Sequence, residues 1–170
     1  ADIIPSTISI SGVQRVLQNL LSEGVSIRDI PTILEGIAEV VPTTSNITQI
    51  TEHVRGRLAR QISAQQSREG AIPIVTLSAE WDQAFAESIV GQGDDRQLAM
   101  APSSLQSFIE AVRSTFDRLA ATGEIPCILT NPAIRPFVRS IVERVRPATI
   151  VLSQNEIHTR ARIRAIGTVG

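Results

Sequence analysis

The sequence has no lysine, no tyrosine, a single cysteine and few aromatic residues of any kind. Each shortage closes a class of function. A phosphate-cradling Walker loop ends in Lys followed by Ser or Thr, so a chain without lysine cannot complete one. One cysteine builds neither a disulfide framework nor a thiolate metal cluster, and it is compatible with a reducing cytoplasm. Aromatics at 3% leave little on which to stack single-stranded bases. No run approaches the roughly 20 apolar residues of a membrane helix. No secretory leader is visible, and the chain opens at Ala1 rather than Met, as a piece of something longer would. All 16 basic residues are arginine, and the formal net charge is −1, so no global field draws the chain to nucleic acid or lipid.

What is present is an ordinary globular composition, 42% apolar over 170 residues, enough for one domain or two small subdomains. The chain is organised around the stretch 22–35, SEGVSIRDIPTILE, which ends one amphipathic helix and starts another. Gly24 can take the positive φ that closes the first helix. Ser26 with Asp29 reads as a capping box, and Pro31 fits only a first turn, so the second helix starts at Ile27 or Ile30. Pro5 breaks any earlier helix.

Ser11 and Gln14 form a further box before Val13, Val16, Leu17, Leu20 and Leu21, which predicts a helix over 12–23. Ile30, Ile33, Leu34, Ile37 and Val41 are the apolar face of the second helix, with Thr32, Glu35 and Glu39 towards water. A third helix starts near Asn46, with Ile47, Ile50, Val54, Leu58 and Ile62 in one stripe. The polar stretch 65–70 is the expected boundary.

Beyond it the rhythm changes to strand, helix, strand: 72–77, a helix capped by Ser78, a short strand at 97–100, a helix from Pro102 to Gly123, and a strand at 125–129. A helix opened by Asn131 and Pro132 follows, then strands at 149–152 and 161–166. Pro73 marks a strand start or an edge, and Pro136 costs its helix an early hydrogen bond. The predicted fold class is α+β: an all-helical subdomain, residues 1–66, then a small α/β subdomain, residues 67–170.

Chemistry-bearing patterns are sparse. Gly91-Gln92-Gly93 lacks the third glycine and the strand-to-helix turn of a dinucleotide site and reads as a surface loop. His53 and His158 lie in different halves without metal-ligand spacing, so no metal and no cofactor are expected. Cys127 and His158 are conceivable as nucleophile and base, but Cys127 sits within Ile-Pro-Cys-Ile-Leu, where a buried thiol stays neutral. The adjacent side chains of Asp94 and Asp95 diverge, so solvation explains them better than a cation. His53, Arg57 and Arg60 share a helix flank, either a solvated basic edge or an anion contact. Arg135, Arg139 and Arg146 share an angular sector, either an exposed helix face or a docking strip for an acidic surface. A competing reading is a small α/β ligand-binding or hydrolytic domain with a helical cap, its pocket at the strand ends near Ser78, Thr130, Asn131 and Ser153.

Long stretches resemble one family. RVLQNLL at 15–21, GVSIRDIPTILE at 24–35, TEHVRGRLARQI at 51–62, PCILTNPAIRPFVR at 126–139 and VLSQNEI at 151–157 are similar, in order, to the cytoplasmic region of the FlhA or type III secretion export-gate (FHIPEP) family, the flagellar form more than the injectisome form. Gln154 and the loop 91–95 depart from its pattern. The resemblance implies a non-enzymatic docking and ring-assembly region at the cytoplasmic face of the bacterial inner membrane. It implies export chaperone–substrate complexes and other export apparatus proteins as partners, a homo-oligomeric, nonameric ring in the full-length protein, and membrane contact only through an N-terminal region absent here. Under this reading Arg28, Glu35, Glu52 and Arg55 are expected to make ring contacts from polar helix faces, and Arg135 and Arg139 to face a partner.

Overall fold

The computed structural model describes residues 8–170, so Pro5 lies outside the described residues. Helix α1 (Ile10–Ser22) is capped by Ser9, whose hydroxyl accepts from the Gly12 amide at 3.0 Å. The box expected at Ser11 is not the cap: Ser9 already has the extended backbone a cap needs, and Ser11 lies in the first turn. Gly24 closes α1 at φ +75, and the Val25 amide reaches back to the Leu20 carbonyl at 2.9 Å.

Helix α2 (Ile30–Val40) is capped by Asp29 itself, which accepts from the Thr32 amide at 3.2 Å. Ser26 instead accepts from the Arg28 amide in the turn before it. A cap at Ser26 would push Pro31 past the first turn, where its missing N–H breaks a helical bond. Helix α3 (Ile47–Arg57) starts behind Asn46 as expected, but the single long helix is interrupted at Leu58 and resumes as α4 (Ala59–Gln66). Gly56, the weakest helix former nearby, precedes the break. Ile50, Val54, Leu58 and Ile62 remain one buried stripe across it. Helices α2 and α3 cross closely: a Cβ on Gly36 would lie 3.2 Å from Val54 Cγ2.

The expected boundary at 65–70 is structured. Gln65 and Gln66 belong to α4, and Arg68 and Ala71 exchange two backbone hydrogen bonds around a turn with Glu69 and Gly70 at positive φ. The chain then forms β1 (Ile72–Leu77), α5 (Ala79–Ser88), a hairpin of β2 (Ile89–Val90) and β3 (Gln97–Leu98), α6 (Pro102–Ala120), β4 (Cys127–Thr130), α7 (Arg135–Val142), β5 (Val151–Ser153) and β6 (Ile163–Val169). Four strands make one parallel sheet in the order β5-β4-β1-β6, while β2 and β3 pair apart from it. The helical half followed by a parallel sheet is the predicted fold class.

Pro73 is the second residue of β1, the strand start expected of it, and is tolerated in this central strand because pairing with β4 begins only at Ile74. Two local expectations differ. Ile125 precedes β4 and is 85% exposed. Asn131 holds a turn by accepting from the Ala133 amide, and the first-turn proline of α7 is Pro136, where no helical N–H is required.

Alternation along the strands sends successive side chains to opposite faces. Ile72, Ile74, Cys127 and Leu152 pack under the α1–α4 layer with Val16, Leu20, Ile33, Ile37 and Val54. Val75, Ile128 and Val151 face Phe85, Phe108, Val112, Phe116, Val138 and Ile141 of α5, α6 and α7. The sheet is therefore the middle layer of three.

Candidate interaction surfaces and the ion network beneath them

Two arginines predicted to face outward point inward. The side chains of Arg55 on α3 and Arg135 at the start of α7 are each 1% exposed. Arg55 grips Glu156 with two parallel bonds, Nε to Oε2 and Nη2 to Oε1, both 2.9 Å. Glu156 itself closes a capping box, accepting from the Ser153 amide at 3.1 Å in the turn after β5. Arg135 uses its whole fork. Nε and Nη2 donate to Glu52 at 2.8 Å, Nη1 and Nη2 to Glu23 at 2.9 Å, and Nη1 also to the Val151 carbonyl at 2.7 Å. Arg139 adds a third cation, 3.7 Å from Glu23, and donates to the carbonyls of Pro147 and Thr149. Three guanidiniums thus face three carboxylates where α1, α3, α7 and the end of β5 converge.

This arrangement suits arginine in particular, because its planar fork matches carboxylates bidentately and stays charged when buried. Burial disfavours the Arg135 cation, but the bonds to Glu23 and Glu52 outweigh it and raise its pKa. Burial also pushes the Glu23 carboxyl up, yet the Arg135 bonds and the charges of Arg135, Arg55 and Arg139 together bring it below its ordinary value. For Glu52 burial wins over Arg135, and the pKa rises. Among the described residues Arg55 Nη1 finds no hydrogen-bond partner, and it lies 3.7 Å from Glu23.

The polar-face contacts expected of Glu52, Arg55, Arg135 and Arg139 are therefore not on open polar faces; these side chains bind one another. The docking strip of Arg135, Arg139 and Arg146 is likewise absent as a strip, since Arg146 lies over the Phe116 ring at 4.6 Å and donates to Thr149. Arg28 and Glu35 are exposed as expected. Of the basic flank, His53 meets Glu39 at 2.8 Å and Arg57 meets Glu35 at 2.9 Å, so both side chains are engaged by α2. Arg60, beyond the break at Leu58, faces another way, towards His158 and Arg160. The signal that sequence reading missed is Ser153-x-x-Glu156, a box spacing that fixes one carboxylate of the network.

Cys127 and His158 do not form a nucleophile–base pair. The Cys127 thiol is buried, pushed up to about 12 by that burial, and 3.6 Å from Gln66 Oε1. His158 Nδ1 accepts from the Arg160 amide. At the strand ends Ser78 caps α5, Ser153 closes its box, Thr130 donates to the Asn131 carbonyl, and Asn131 holds its turn and donates to Asp82, so the polar groups of the competing pocket bond within the chain. Asp95 is exposed, and nothing is described of the Asp94 side chain. A cleft of about 390 Å³ does exist elsewhere, with Val40, Pro132, Pro136 and Phe137 as apolar walls and Thr48, Gln49 and Arg96 at its rim. A smaller one of about 170 Å³ adjoins it and opens onto Glu23, Arg135 and Arg139.

Residues 1–162 match the model of the FHIPEP family. The chain belongs to the FHIPEP family. It is 57% identical over 169 residues to the flagellar biosynthesis protein FlhA of Caulobacter vibrioides, covering 99% of this chain and 24% of that protein. Among solved structures it is similar to the Chlamydia pneumoniae CdsV protein, with TM-score 0.91, 28% identity and coverage of 99% and 49% of the two chains. It is also similar to the nonameric EscV cytosolic domain of a type III secretion system, with TM-score 0.83, 26% identity and coverage of 99% and 50%. The chain spans about a quarter of the length of the curated FHIPEP relatives it matches. Among its described residues no helix is long and apolar enough to cross a membrane.

Proposed function

We propose that this chain is the docking and ring-assembly portion of a flagellar protein export gate, lying at the cytoplasmic face of the inner membrane, with subdomains at residues 1–66 and 67–170. In this reading it receives export chaperone–substrate complexes and other apparatus proteins and makes or breaks no covalent bond. The observation that carries it is the combination of a family match along nearly the whole chain with a fold shared by a nonameric ring. The interior supports the same reading. Its buried arginines and glutamates are paired with each other and lock helices to the sheet, which suits a rigid assembly part, and Ser78 and Ser153 at the strand ends are used as caps.

Ring contacts in this reading come from side chains that remain outside. Arg28 and Glu35 are such residues, whereas Glu52, Arg55, Arg135 and Arg139 hold the scaffold that presents them. The test is made in the full-length gene product. Deleting residues 8–170 is expected to abolish flagellar export while the remainder still reaches the membrane. Reversing the charges of Arg28 and Glu35 is expected to reduce ring assembly without unfolding the chain. Undiminished export after the deletion would overturn the function, and normal rings after the reversal would overturn those two contacts.

A further inference from the structure

Two stretches of exposed like charge lie on opposite sides of the sheet, an acid-rich one with α5 and a base-rich one with α4. On one side, residues 79–95 carry five acids and no base. Glu80, Glu87 and Asp95 are exposed, and among the described residues none of them is in an ion pair. Glu80, Gln83 and Glu87 recur at helical spacing along α5, whose Phe85 packs beneath the sheet with α6. On the other side, no acid occurs from residue 53 to 68 or from 157 to 170. There α4 and the connection from β5 to β6 bring Arg60, His158 and Arg160 around a concavity of about 430 Å³, with exposed Arg162 beside it.

The basic surface is built rather than loose. Ser63 on α4 donates its hydroxyl hydrogen to the Glu156 carbonyl and accepts from the His158 amide, fixing the connection to the helix. The Ala161 amide returns to the His158 carbonyl at 2.9 Å, and the Arg162 carbonyl accepts from Ile72 of β1. Among the described residues no carboxylate neutralises Arg60, Arg160 or Arg162, in contrast to Arg57 three residues before Arg60.

Helix α5 packs on one face of the sheet and α4 on the other, so the α5 strip and the basic concavity of one chain look in different directions. We propose that the α5 acidic strip of one copy docks on the Arg60–His158–Arg160 surface of a second copy. A contact between two different surfaces is heterologous, and repeated with a closing rotation it generates a ring. Opposite charge on the two surfaces sets the order head to tail and opposes like-surface pairing. The proposal rests on the ring-assembly reading and assigns one of its contacts.

The test uses the full-length gene product in membranes. Cysteines at Gln83→Cys and Thr159→Cys leave every charge in place, and the native Cys127 is buried. Oxidation is expected to give a ladder of covalent multimers that requires both substitutions. Arg60→Glu with Arg160→Glu, or Glu80→Arg with Glu87→Arg, is expected to cut the ladder about tenfold. Combining all four reversals in one chain restores complementarity and is expected to restore the ladder. Intact rings by native electrophoresis without a ladder, or no recovery in the fourfold variant, would overturn this contact alone. Absence of rings in the unmodified protein would sink the ring-assembly reading as well.

Discussion

Arg55 and Arg57 stand two residues apart on one helix and meet opposite fates. Arg57 leans over α2, where Glu35 and Glu39 neutralise it in solvent. Arg55 turns beneath the layer and is enclosed with Glu156, Glu23 and, one step further, Arg135. Two residues on an α-helix are about 200° apart, so the same side chain is delivered to water at one position and to the interior at the next but one. The surface set is a screened, interchangeable contact. The interior set ties α1, α3, α7 and the end of β5 into one body, and its charges are committed to each other.

Removing one interior partner should have the largest effect. Glu156→Ala leaves Arg55 buried without its carboxylate and is expected to cost about 3–5 kcal/mol in urea unfolding. A loss no larger than that of a surface pair would erase the contrast. Replacing both members, Arg55→Met with Glu156→Leu, is expected to be closer to the unmodified protein than either single change, because no unpaired charge remains; a double-mutant cycle reads the coupling.

Next in size is a pH effect at Glu23. Its folded pKa lies below the ordinary carboxylate value, so its contribution is present above about pH 4.3 and is lost as pH falls through the folded value. Glu23→Gln is therefore expected to cost about 1.5–3 kcal/mol at neutral pH, with the difference from the unmodified protein shrinking in acid. A pH-independent difference would show that packing rather than charge is lost. The smallest effect belongs to the surface. Arg57→Ala is expected to cost under about 1 kcal/mol and to lose even that at about 1 M salt.

The positions of the helices were readable because apolar spacing and caps are local properties. Asp29, Pro31 and Gly24 place the α1–α2 turn, and Asn46 places the start of α3. The errors fell where two local signals competed. Ser9 and Ser11 both could cap α1, and the choice rests on which takes an extended backbone. The residues 97–98 form a strand as expected but pair with 89–90 rather than joining the sheet, which no period in the sequence states. Among candidate site residues, Arg28 and Glu35 were placed on the outside correctly. Arg55 and Arg135 were not, since an arginine on a helix has a strong prior for solvent and its buried partners are distant in sequence, 101 and 112 residues away for Glu156 and Glu23.

By itself the sequence determined the helical first half, the strand–helix alternation of the second, the lack of metal and nucleophile spacing, and the family. All of these follow from neighbours within a turn or two, or from residue types in order. Only the tertiary structure decided which arginines are free. That depends on which helix face a sheet covers and on whether a carboxylate from elsewhere in the chain arrives to meet the charge, and neither is encoded within any one segment.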